Sequence, residues 1–79
     1  MVKVNLLGIF RQYAPSVDEE GCFAVEHQPG MTAAEALGRT NISETTVKYS
    51  ILVNNMRKKA DYVLEDGDVV KVMPLISGG

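Results

Sequence analysis

Few residues in this chain carry side chains able to do chemistry, and their spacing narrows the choices further. The single histidine, His27, has no cysteine or carboxylate pair at ligand spacing and reads as a strand-packing or surface residue. The single cysteine, Cys22, cannot close an intramolecular disulfide. It opens a strand, where a small half-buried hydrophobe is a simpler reading than a nucleophile, and an unpaired thiol suits a reducing cytosol. Glu19-Glu20 and Asp66-Gly67-Asp68 place carboxylates close together, but neither has the spacing of a calcium loop. Loop solvation and turn chemistry account for both. No arrangement here makes an active site, so the chain is not expected to be an enzyme.

The sequence ends differently, in Ile76-Ser77-Gly78-Gly79 after Pro74-Leu75. One reading is a frayed or truncated end. The other uses what glycine lacks. Two residues without Cβ atoms can thread a narrow channel and present the Gly79 carboxylate to a separate enzyme that holds ATP. The chain has no phosphate-binding glycine loop of its own, so ATP must be bound elsewhere. Adenylation turns an unreactive carboxylate into a mixed anhydride, whose carbonyl a sulfur or nitrogen nucleophile can then attack unhindered.

The elements that must position this arm are legible from periodicity. Residues 2 to 10 alternate as a strand, with Val2, Val4 and Leu6 inward, Leu7 and Ile9 outward, and Phe10 turning back into the core. Tyr13 to Gly21 reads as a loop and Cys22 to Gln28 as a second strand with Phe23 and Val25 on one face. Pro29-Gly30 stops that strand. Thr32-Ala33-Ala34-Glu35 matches a capping box, with Met31 placed to staple onto Ala36. The helix that follows is expected to run roughly two to three turns, with Leu37 its anchor. Thr46 to Asn54 alternates as a third strand, with Val47, Tyr49, Ile51 and Val53 sharing a face. Asn54-Asn55 is a tight turn into a short basic edge strand, Met56 to Lys59. Tyr62-Val63-Leu64 forms an apolar plug before the Asp66-Gly67-Asp68 turn, and the last strand spans Val69 to Leu75 with Val70 and Val72 inward. The predicted core is Val4, Leu6, Leu37, Ile51, Val70 and Val72.

This order, ββαβββ, specifies an α+β domain: a mixed sheet of four to five strands with one covering helix. A chain of 79 residues holds one core, so residues 1–75 are expected to form the domain and 76–79 a flexible tail. Composition excludes other classes. At 46% apolar and 23% charged the chain is not a disordered segment. A net charge of −2 without a basic run argues against nucleic acid, and no apolar stretch approaches the length of a membrane span. No signal-peptide pattern opens the sequence, so the expected location is cytoplasmic.

Leu64-Glu65-Asp66-Gly67-Asp68-Val69-Val70 before the last strand, and Met73-Pro74-Leu75-Ile76-Ser77-Gly78-Gly79 at the end, resemble the ubiquitin-like sulfur carriers. These are the small subunit of molybdopterin synthase and the thiamine-pathway carrier. The similarity spans essentially the whole chain. Val2-Lys3-Val4 through Phe10-Arg11, with Pro74, leans toward the molybdopterin type, whereas Asn41 to Val47 resembles thiamine-type and archaeal-like carriers.

The resemblance implies a β-grasp (ubiquitin-like) fold, with the last strand central between strands 1 and 3. It implies that an E1-like adenylating enzyme uses ATP to activate Gly79, which becomes a thiocarboxylate with sulfur from a donor system. A sulfur-accepting synthase subunit then receives it, most directly for the molybdenum or tungsten cofactor. Gly78, Ser77 and Ile76 would bind in the partner's channel, and no cofactor would be bound by the chain itself. The outer sheet face would dock the enzyme, through the outward residues Leu7, Leu52 and Met73. Arg57 stands where the molybdopterin-type carriers tend to have an apolar residue. The rival readings are a thiamine-pathway carrier, a ubiquitin-like modifier joined through Gly79 to lysine, and a plain interaction module.

Overall fold

The computed structural model describes residues 1–75. Strand β1 spans Val2–Leu6, β2 Phe23–Val25, β3 Tyr49–Val53, β4 Met56–Lys58 and β5 Val69–Pro74, with one α-helix, α1, at Ala33–Leu37. The five strands form a single sheet in the order β2-β1-β5-β3-β4. β1 pairs antiparallel with β2 and parallel with β5, while β3 pairs antiparallel with both β5 and β4. The last strand therefore lies at the centre, as the resemblance implied. The parallel β1–β5 pair needs a long crossover, which the intervening helix and strands supply.

Alternation sets the inner face. Val2, Val4, Leu6, Ile51, Val53, Val70 and Val72 are all buried, and Ala33, Ala36 and Leu37 of α1 close over them. All six predicted core residues are in this set. α1 starts at Thr32, whose Oγ1 accepts from the Glu35 N–H at 3.2 Å. The Glu35 carboxylate accepts from the Thr32 hydroxyl rather than from its amide, so the capping box is only half made. Two further amides at this end donate to a neighbouring loop, Ala33 N–H to Tyr62 O and Ala34 N–H to Ala60 O. The Asn54-Asn55 turn has both residues at positive φ, 51° and 67°, the signature of a tight hairpin turn, and it leads into β4 at the sheet edge.

Element lengths differ from the periodicity, each for a local reason. The first strand ends at Leu6, not Phe10: Gly8 at φ 58° turns the chain into a 3₁₀ helix over Gly8–Tyr13, and this folds Phe10 inward. β2 stops at Val25, which already pairs with Val2, so Glu26 to Gln28 have almost no chain left to pair with. The helix is five residues, shorter than expected, because the Thr40 hydroxyl donates to Leu37 O and draws the chain into a 3₁₀ turn over Ile42–Glu44. Ile42, in that turn, is buried and was not expected in the core. β3 begins at Tyr49, three residues later than expected, which leaves Val47 outside the sheet and exposed. β4 ends at Lys58 and β5 at Pro74, one residue short of expectation in each case. In the apolar plug only Leu64 is buried, while Val63 faces solvent.

Candidate functional site

The site predicted from sequence has two parts, the terminal arm and the outer sheet face. Ile76, Ser77, Gly78 and Gly79 lie outside the described residues, as does the expectation that they form a flexible tail. What the structure describes is the platform from which they depart. β5 is hydrogen-bonded on both sides, as far as Val72 on the β1 flank and Pro74 on the β3 flank. The Leu7 N–H donates to Val72 O at 2.9 Å on one flank, and Tyr49 is paired with Pro74 on the other. One residue on, the Leu75 N–H donates to Lys48 O at 3.2 Å. Beneath this end the Phe10 ring meets Tyr49 edge to face, with centroids 5.6 Å apart, so the exit is underpinned by a filled aromatic contact. Ile9, Val47 and Leu75 are exposed. Alternation puts Val47 on the face of Tyr49, Ile51 and Val53, but β3 starts after it and leaves it at the surface.

The three outward residues are brought onto one face. Leu7 stands level with Met73, since Leu6 pairs with Val72, and Leu52 pairs with Lys71, diagonal to Met73. They are half-buried rather than fully exposed. Cross-strand neighbours on a twisted sheet lie close enough to cover one another in this way. Arg57, paired with Leu52, is exposed beside them and was not among the predicted docking residues.

The other candidates are structural. His27 Nε2 lies 2.9 Å from Leu64 O, which ties β2's continuation to the plug. Cys22 is buried, and burial pushes its thiol pKa up, away from the thiolate a nucleophile needs. Asp18 caps its own loop, with Oδ1 accepting from the N–H groups of Glu20 and Cys22 at 2.9 Å. Its pKa is lowered first by the Cys22 N–H and then by the Lys3 ammonium, 3.0 Å from Oδ2. Asp66 is held below its ordinary value by the Met1 amino group, which hydrogen-bonds to it. Among the described residues no three His, Cys, Asp or Glu side chains converge as metal ligands. No helix among them is long and apolar enough to cross a membrane. An open pocket of about 200 Å³ beside β2, lined by Phe23, Val25, Glu26 and Arg39 among others, holds none of the predicted site residues.

A five-stranded mixed sheet with the last strand central and parallel to the first, gripped by one short helix, is the ubiquitin-like β-grasp fold. Among solved structures, that of SAMP1 from Haloferax volcanii matches it with a TM-score of 0.73, covering 99% of this chain and 98% of its own. The two share 19% sequence identity, so the likeness is one of fold. No protein-family model and no curated protein matches the sequence.

Proposed function

We propose that this chain is a ubiquitin-like sulfur carrier, a protein cosubstrate that works through Gly79. The observation that carries the reading is the placement of β5: central, hydrogen-bonded on both flanks, and leading directly into Ile76-Ser77-Gly78-Gly79. A rigid strand behind a short arm that ends in two glycines is what delivery of a carboxylate into another protein's channel requires. An E1-like adenylating enzyme supplies ATP. The Gly79 carboxylate attacks the α-phosphorus, pyrophosphate leaves, and sulfide-level sulfur from a donor system then displaces AMP to give the thiocarboxylate. Ile76, Ser77 and Gly78 occupy the partner's channel, and Leu7, Leu52 and Met73 face the docked partner. The opening Val2-Lys3-Val4 and Pro74 favour a synthase subunit of the molybdopterin pathway as acceptor over the thiamine pathway.

A second reading is favoured by the structural neighbour, a ubiquitin-like small archaeal modifier protein. The same acyl-adenylate attacked by a lysine amine gives an amide, and the chain becomes a protein modifier. Intact mass of the protein from its own host separates the two. Replacement of one Gly79 oxygen by sulfur marks the carrier, and attachment to other proteins marks the modifier. Deleting Gly79 is expected to abolish ATP–pyrophosphate exchange with the host's E1-like enzyme and leave the thermal melt unchanged. Gly78→Ala should keep the melt and reduce transfer. Full exchange in the deletion would leave only an interaction module.

A further inference from the structure

Every charged residue within the five strands is a cation. None of the ten acidic residues lies in any of the five strands, whereas Lys3, Arg57, Lys58 and Lys71 do. Three of these four point away from the core. Lys3 stands outward between buried Val2 and Val4, Lys71 between Val70 and Val72, and Arg57 is paired with outward Leu52. The register sets Arg57, Leu52 and Lys71 in one row across β4, β3 and β5. At a strand spacing of about 4.8 Å the two cationic residues are rooted about 10 Å apart with the leucine between them.

Their partners differ. Lys3 is answered by Asp18 and Glu20 at 3.0 and 3.3 Å. Lys71 Nζ donates to the neutral Asn55 Oδ1 at 3.0 Å, and Arg57 makes no ion pair among the described residues. The chain as a whole is acidic, at −2, so a row of unneutralised cations around a half-buried leucine is a local reversal of its field. A polyanion such as nucleic acid would gain little from two cations and be repelled by the remainder. A protein surface with a few carboxylates and an apolar side chain between them fits both the charge and the leucine.

We infer that the outer face of β3, β4 and β5 docks an acidic protein surface, carboxylates meeting Arg57 and Lys71 and an apolar side chain seated on Leu52 and Met73. The inference rests on the proposed function, which makes that partner the activating enzyme, and adds its chemistry. The charges raise the encounter rate and select against partners with basic faces, while the leucine and methionine supply contact area.

The experiment is ATP–pyrophosphate exchange with the host's E1-like enzyme, titrated with carrier at several salt concentrations. Arg57→Glu and Lys71→Glu are each expected to raise the half-saturating concentration about tenfold with maximal rate unchanged. Arg57→Lys and Lys59→Glu, the latter exposed and off the row, should stay within about twofold. The wild type should weaken steeply from about 0.01 to 1 M salt, as the screening length falls from about 30 to 3 Å, and the double reversal, which sets like charges against each other, should show the opposite trend and tighten as salt is added. Unchanged half-saturation in both reversals, with intact melts, overturns the acidic docking surface and leaves the carrier reading in place. No exchange by the wild type overturns both. Self-association by light scattering that the same reversals abolish would assign the face to a second copy of the chain and also overturn the proposal.

Discussion

The two ends of β5 are built from different forces. At its entry, Asp66-Gly67-Asp68 turns through Gly67 at φ 94°, a conformation that disfavours any side chain. The buried Asp68 carboxylate then accepts from the Glu65 N–H at 2.8 Å and from Asn54 Nδ2 at 2.9 Å. Asn54 returns the link, its Oδ1 accepting from the Val69 N–H at 3.0 Å, and the Lys3 N–H donates to Asp68 O. At the exit, among the described residues, there is no side-chain hydrogen bond of this kind. Phe10 against Tyr49 and backbone bonds, Leu7 N–H to Val72 O and Leu75 N–H to Lys48 O, hold the chain there. Directional bonds at the entry fix register, and register decides which side chains face out. A one-residue slip would put Lys71 in the core and Val70 and Val72 on the docking face. The exit needs only shape, because its task is to aim the arm.

The comparison breaks most severely at Phe10. The ring is fully buried, and Phe10→Ala is expected to cost about 3–5 kcal/mol, read by urea unfolding. Its local signature should be faster hydrogen exchange at the Leu75 amide than at Val69, since only the exit loses support. Equal acceleration at both amides would mean that the two ends are one cooperative unit.

Next in size is the entry. Asp68→Ala strands the Glu65 N–H and the Asn54 amide and is expected to cost about 1–3 kcal/mol. Here the order of exchange should reverse, with Val69 loosening before Leu75. Adenylation per folded molecule should persist, because the arm and its outer face are untouched.

The inner face of the sheet was legible in the sequence where the packing at the exit was not. Alternation gave the inward set Val2, Val4, Leu6, Ile51, Val70 and Val72 because every one stands on a strand with one dry face, where a period of two is forced. The Asp66-Gly67-Asp68 and Asn54-Asn55 turns showed for a similar reason, their residue types being those that tolerate positive φ. The bond from Asn54 to Val69, which joins the two turns, spans 15 residues and has no local signature. The same holds for Val47, whose alternation continued past the point where β3 loses its partner, and for Ile42, buried by a 3₁₀ turn with no periodicity to read. Arg57 was visible as a departure from the resemblance. Its meaning as half of a cationic row needed the register of β3 with both neighbours.

The smallest expected effect belongs to the exposed brace beside the entry. Lys3, level with Val69 in the ladder, pairs with Asp18. The Cys22 N–H and then the Lys3 ammonium lower the Asp18 pKa, and Asp18 in turn is the main cause raising that of Lys3. A depressed carboxylate contributes stability above its unfolded pKa and loses it as pH falls through the lower folded value. A raised lysine contributes below its unfolded pKa and loses it as pH rises through the higher folded value. Their shared contribution is therefore complete between about pH 4 and pH 10 and fades outside that window. Asp18→Asn keeps the Oδ1 acceptor for Glu20 and Cys22 and removes only the charge. The melting temperature of the wild type should exceed that of the variant by a small margin near neutrality, and the margin should close as pH falls below the ordinary carboxylate range. It should also shrink with added salt, as an exposed pair must. Exchange at Leu75 should not move at any pH, since the brace acts at the opposite end of β5. A margin that survives unchanged into acid would assign the effect to the loop-capping bonds of Asp18 and not to its pairing with Lys3.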